Sequence, residues 1–216
     1  MDIDSFFDIT EKAQAGDATS QFELGKCFDM GNIVNQNYNQ AVYWYTKAAE
    51  QGDAKAQNAL GNCYYNGKWV EKDDEQASYW YTKGAGQGYA GAQYNFGACL
   101  YWGIGVEQNF EKAVLWYHKA AEQGNASACH TLGCCYQYGK GVEKDIEKAV
   151  LWYTKGAELG NADAQYNLGF CYLQGEGVEE DYENAIYWYA KAAEQGHDLA
   201  RKRLSELKKK GILSDE

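Results

Sequence analysis

The chain has 216 residues, 45% of them hydrophobic and 15% aromatic, which is ample for a packed core. Its formal net charge of −11 disfavours nucleic acid and anionic membrane surfaces as partners. No apolar run approaches the roughly 20 residues of a membrane helix. The acidic start Met1-Asp2-Ile3-Asp4 lacks the basic and apolar regions of a secretory signal, so a cytoplasmic protein is expected.

Residues 1–16 align with the second half of a repeat whose full copies follow. Ala13 and Gly16 match Ala49 and Gly52, while Asp8 stands where the repeats carry Trp. Phe6, Phe7 and Ile9 still supply an apolar face, and we expect a degenerate capping helix.

Five units follow: 17–52, 53–88, 89–124, 125–160 and 161–196. Trp44, Trp80, Trp116, Trp152 and Trp188 each open a W-Y-x-K segment, and 80 − 44 = 36, as for the other differences. A fixed period of this size marks a repeat array. Each unit begins with small residues and then Leu or Phe before Gly, as in Leu60-Gly61 and Leu132-Gly133. Apolar residues three to four apart mark one buried helix face. The internal Gly costs about 1 kcal/mol against Ala, so its recurrence implies close approach of a neighbouring helix. The first helix should end at Gly31, Gly67, Gly103, Gly139 and Gly175. A loop follows whose Val residues (34, 70, 106, 142 and 178) should plug into the core. In three copies the loop reads G-x-G; Ile33 and Trp69 replace the second Gly in the first two, so the turn differs there or bears a cost.

Asn37, Asp73, Asn109, Asp145 and Asp181 stand where a second helix should begin, and all are good caps. That helix runs through a constant Ala and W-Y-x-K to Gly52, Gly88, Gly124, Gly160 and Gly196. Ala41, Trp44, Tyr45 and Ala48 are spaced 0, 3, 4 and 7, a core-facing set. Residues 197–210 open a sixth unit whose other faces are basic, and we expect a closing helix with 211–216 frayed. The whole is expected to be one continuous domain.

Of seven Cys, five (27, 63, 99, 135 and 171) share one repeat position and have no partner position to bridge to. Cys129 and Cys134 lie five apart on one helix, too far and badly aimed for a disulfide. Reduced thiols packed as small apolar residues are expected.

The pattern A-x-A-Q-x-x-L-G-x-x-Y-x-x-G-x-G-V-x-x-D-x-x-x-A-x-x-W-Y-x-K-A-A-E-Q-G, nearly complete at 161–196, resembles the Sel-one-like repeat, a longer relative of the tetratricopeptide repeat. One departure is Asn or Glu (35, 71, 107, 143, 179) where Pro often follows the loop Val. The resemblance implies an all-α, right-handed α-solenoid of antiparallel helix pairs, with first helices lining a concave groove. It implies an adaptor that gathers other proteins, as family members do in bacterial signalling, host interaction and eukaryotic quality control. A cysteine-rich bacterial branch with one disulfide per repeat is associated with cell-wall or β-lactam-like ligands, and binding or weak hydrolysis of such a ligand is the alternative reading. The single Cys per repeat departs from that branch.

No catalytic set emerges. His118, His130 and His197 fall at different repeat positions, none has metal spacing, and no Cys–His or Ser–His–Asp set is suggested by sequence neighbours. G-x-G lacks the strand of a phosphate-cradling motif, and its recurrence marks a turn. We expect no enzyme activity, cofactor or metal. In a repeat array, binding sits at positions that vary between copies. On the first helices these give Phe22, Asn58, Asn62, Tyr94, Trp102, His130, Tyr138, Tyr166 and Phe170, a mixture of aromatic rings and Asn. Aromatics supply contact area at low entropy cost, and Asn bonds a peptide backbone in both directions. The expected partner is a peptide or helical segment of another protein, bound by a monomer in the groove.

Overall fold

The computed structural model describes residues 3–212, and among them twelve α-helices and no strand. The first two residues of the expected cap and positions 213–216 of the expected tail lie outside the described residues. The chain divides into two compact units, 1–109 and 110–216. The first holds α1 (Ile3–Gln14), α2 (Ala18–Met30), α3 (Tyr38–Glu50), α4 (Ala54–Asn66), α5 (Asp74–Gly86) and α6 (Ala90–Trp102). The second holds α7 (Phe110–Glu122), α8 (Ala126–Tyr138), α9 (Ile146–Glu158), α10 (Ala162–Gln174), α11 (Tyr182–Glu194) and α12 (Asp198–Lys209). Within each unit every helix packs on the next, so both are stacks of helical hairpins.

Local chemistry sets each hairpin. Gly67, which ends α4, lies at φ +61°, and its N–H donates to the Cys63 carbonyl. Asp73 then has two roles. Its side chain accepts from Gln76 N–H and caps α5, while its own N–H donates to the Tyr64 carbonyl at 3.1 Å, tying the loop back to α4. Asn37, Asp145 and Asp181 repeat both contacts. The first helices carry caps that the sequence reading did not single out, namely Asp17, Asp53, Asn125 and Asn161.

The buried face differs in one respect from expectation. The Tyr of each W-Y pair is the core residue: Tyr45, Tyr81, Tyr117, Tyr153 and Tyr189 are all buried, whereas the neighbouring Trp is half-buried. In the first unit, Lys47 and Lys83 of the same motif lie over the exposed rings of Tyr43 and Tyr79. In α7 and α9 Leu115 and Leu151 stand at that position, and Lys119 and Lys155 lie over Trp116 and Trp152 instead, at 4.0 and 4.3 Å, while in α11 Lys191 again lies over Tyr187. The Lys of W-Y-x-K thus covers the exposed Tyr where its helix has one and the Trp where Leu takes that place.

Successive hairpins are joined by glutamines. Gln57 is buried; its amide donates to the Ala49 carbonyl at 3.1 Å, and its oxygen accepts from Gln87 at 2.7 Å. Gln21 with Gln51, and Gln165 with Gln195, make the same pair. The loops interlock similarly. A Cβ on Gly177 would lie 2.8 Å from the Ile146 carbonyl oxygen, so the second Gly of G-E-G lets the loop rest on the start of α9.

Candidate functional site

The first unit holds a half-open cavity of about 630 Å³. Its walls come from the first helices. Asn62, Tyr65 and Asn66 are on α4, Tyr94, Asn95 and Trp102 on α6, and Asp29 on α2. The buried tyrosines Tyr45 and Tyr81 form the floor, and Trp69 reaches in from the loop after α4. Asn62, Tyr94 and Trp102, chosen from sequence variation, are therefore brought together.

Trp69 is the one described residue other than Gly with a positive φ, +69°. It occupies the place held by Gly105, Gly141 and Gly177 in later loops. A left-handed backbone costs a side-chain-bearing residue about 1–2 kcal/mol. What it gains is visible: the indole stacks on Tyr38 with the ring planes 6° apart, and it stays 37% exposed toward the cavity. The cost expected from the sequence thus falls on Trp69.

The amides of the cavity are oriented by one another. The Tyr81 hydroxyl donates to Asn62 Oδ1 at 2.7 Å. Asn95 Nδ2 donates to Asn58 Oδ1 at 2.8 Å and to Asn62 Oδ1 at 3.3 Å. On the floor the Tyr45 hydroxyl donates to Asp29 Oδ2 at 3.3 Å. Burial, then the Asp29 carboxylate, pushes the Tyr45 hydroxyl above the usual phenol range, and burial does the same to Tyr81. Two thiols reach the cavity. Burial raises Cys63 to about 11 and Cys99 to about 12. Held protonated, these groups offer hydrogen bonds and ring faces rather than a nucleophile at neutral pH.

The remaining predicted residues are placed differently. Phe22 turns inward, packing against the Ala41, Tyr45 and Cys63 cluster at 5.8 Å between the Phe22 and Tyr45 rings. In the second unit, Tyr138 is exposed, Tyr166 stacks on His197 at 4.8 Å, and Phe170 packs beside α12, where it lines a smaller cavity of about 240 Å³. His130 lies 3.5 Å from Cys134 Sγ and 3.0 Å from Asn167 Nδ2. This Cys–His contact, one helical turn apart, corrects the expectation that sequence neighbours suggest none. Burial lowers the His130 pKa and raises that of Cys134, so both are driven toward neutral forms rather than a thiolate–imidazolium pair.

The Sel1 repeat model matches residues 18–53, 54–89, 90–125, 126–161 and 162–197. The chain belongs to the Sel1 repeat family. Among solved structures, a Sel1 repeat protein from Oxalobacter formigenes is 40% identical with a TM-score of 0.85, covering 93% of this chain and 80% of that one. The protective antigen c5321 of uropathogenic Escherichia coli, which displays an SLR fold, is 32% identical with a TM-score of 0.77; the match spans 97% of this chain and 52% of that protein. Cysteine rich protein B of Helicobacter pylori is 28% identical with a TM-score of 0.51, over 64% of this chain and 99% of that one. No curated protein matches.

Sel1 repeat proteins are generally protein-interaction scaffolds. All seven thiols of this Sel1 repeat chain are free, as the single Cys per repeat led us to expect. No helix among the described residues is long and apolar enough to cross a membrane. Asn95 and Trp69 are among the cavity residues that lie outside the sequence-derived set. Asn95 occupies a position that also varies between Sel1 repeats (Glu23, Ala59, Thr131, Asn167), so variation could have found it. Trp69 carries a signal, a bulky residue where a turn wants Gly, but by sequence alone this implies a cost and not a contact.

Proposed function

We propose that this protein is a non-enzymatic interaction scaffold, and that the cavity of the first unit takes up a segment of a partner protein. The observation that carries this reading is the gathering of Asn62, Tyr94 and Trp102 from two first helices around one opening. The volume, about 630 Å³, lies within the range of specific binding sites. Exposed rings beside oriented amides are what an interface core uses, since aromatics bury area with few rotors. In the second unit, exposed Tyr138 and the half-buried His130, Tyr166 and Phe170 are offered as further contacts, with Asn58 and Phe22 supporting the first set from behind. The protein is proposed to act as a monomer in the cytoplasm, without cofactor or metal. Hydrolysis of a β-lactam-like ligand finds no support in the protonated thiols and phenols of the cavity.

The test is selection of a random twelve-residue phage-displayed peptide library on the full chain. Peptides should be enriched on the wild type and lost on a Tyr94→Ala/Trp102→Ala variant that keeps its helical circular dichroism. Enrichment that survives this variant would remove the cavity from consideration.

A further inference from the structure

Asn62 and Asn95 of the cavity are not interchangeable polar groups. Asn62 Oδ1 is occupied twice, by the Tyr81 hydroxyl at 2.7 Å and by Asn95 Nδ2 at 3.3 Å. These bonds leave its amide N–H2 unengaged, on an exposed residue that lines the cavity. Asn95 is set the opposite way. Its Nδ2 is occupied by the oxygens of Asn58 and Asn62, at 2.8 and 3.3 Å, so its Oδ1 is left free. One donor and one acceptor thus stand side by side on α4 and α6, each fixed by bonds on its other end. Swapping either amide end for end would put two acceptors or two donors against each other.

A donor beside an acceptor matches the C=O and N–H of an extended polypeptide main chain. It does not match a helical segment, whose interior N–H and C=O groups are already bonded to one another. The rings around this pair supply what a main chain lacks. Trp69 stands on one side of the cavity and Trp102, 68% exposed, lines it as well. Trp69 also holds a left-handed backbone that Gly would adopt without strain. Strain of this kind persists where the surroundings over-determine it, and it clusters at ligand clamps.

We propose that the cavity binds its partner as an extended segment: the Asn62 amide donates to one main-chain carbonyl, the Asn95 carbonyl accepts a main-chain N–H, and Trp69 and Trp102 enclose an adjoining side chain. This rests on the cavity being the binding site. It goes further by naming the conformation of the partner and the atoms that read it.

The test uses peptides selected on the wild type, as above, so that an absence of selectable cavity-dependent peptides counts against the cavity itself and not against this geometry. Asn62→Asp keeps an oxygen for Tyr81 and Asn95 but replaces the outward donor by an acceptor. It should weaken every selected peptide by about tenfold or more, whatever its side chains, as expected for one lost hydrogen bond with an unpaired acceptor left behind. N-methylation scanned along a peptide should reduce affinity at one bond near the anchoring side chain and leave most positions within about threefold, since only one N–H is read. Cavity-dependent peptides that become helical on binding would overturn the proposal while leaving the scaffold reading intact. So would a flat methylation scan, or unchanged affinity in Asn62→Asp.

Discussion

The ring of Tyr81 lies against the backbone of Gly61, so closely that a Cβ there would sit 2.6 Å from ring carbon Cε1. Gly25 meets Tyr45 and Gly169 meets Tyr189 in the same way, at 2.7 and 3.0 Å. The invariant Gly of the first helix and the invariant Tyr of the second are one packing unit. Gly61→Ala should therefore destabilise the protein by up to about 2 kcal/mol, overpacking of about 1–3 kcal/mol outweighing the gain of about 1 kcal/mol in helix propensity. Gly86→Ala in α5, where a Cβ meets open space, should be neutral or stabilising. Urea midpoints of the two variants carry opposite signs if the Tyr ring is the obstacle; two stabilised variants would contradict it.

The fourth repeat lacks both members of the glutamine pair. Cys129 stands in the place of Gln57, fully buried, and Leu159 in the place of Gln87. Two polar partners have been replaced together, which avoids a buried unpaired amide. Cys129→Gln alone should cost about 1–2 kcal/mol, because its oxygen has no donor across the seam. Adding Leu159→Gln should recover most of that, giving a coupling of about 1 kcal/mol in a double-mutant cycle. Additive effects would show that the two positions do not communicate.

Trp69→Gly separates stability from binding. Relief of the left-handed backbone, worth about 1–2 kcal/mol, is offset by loss of the stack on Tyr38, worth about 0.5–1.5 kcal/mol. The melting temperature should move little, while affinity for cavity-selected peptides drops by about tenfold or more. A large loss of stability, or retained affinity, would assign Trp69 to the fold alone.

Stability should decline on both sides of neutrality. Burial raises Cys99, Cys135 and Cys171 from an ordinary 9.0 to about 12. Above pH 9 the unfolded thiols lose protons that the folded ones keep, so the folded state binds more protons and stability falls as pH rises toward 12. Burial of His130 has the opposite consequence on the acid side. Its pKa is lowered from 6.5, so below that pH the unfolded imidazole takes up a proton that the folded one resists, and stability falls as pH drops. Melting temperatures by circular dichroism should plateau from about pH 7 to 8.5 and drop beyond; an unchanged value at pH 10.5 would refute the buried-thiol account.

Much was legible in the sequence because the fold is periodic. The recurrence of Gly, Ala, Tyr and Asp or Asn at fixed offsets determined helix pairs, their ends and their caps, since propensity, capping and turn chemistry act within a few residues of chain. Variation between copies pointed to Asn62, Tyr94 and Trp102 by the same comparison. It also pointed to Phe22, which instead fills a gap beside Tyr45, and it ranked Trp44 with Tyr45 although only the Tyr is fully enclosed. Those outcomes depend on which neighbouring helix each side chain meets.

By itself, then, the sequence determined an all-helical repeat array, its period and its reduced cysteines. Tertiary structure alone decided that Gly61 yields to Tyr81, that Asn58, Asn62 and Asn95 orient one another, and that Trp69 turns into a cavity at the expense of its own backbone. The reason is range: helix and turn signals are written between residues a few positions apart. The direction of an amide or the room beside a glycine is set by atoms 20 to 37 residues away, such as Tyr81 for Gly61 and Asn95 for Asn58.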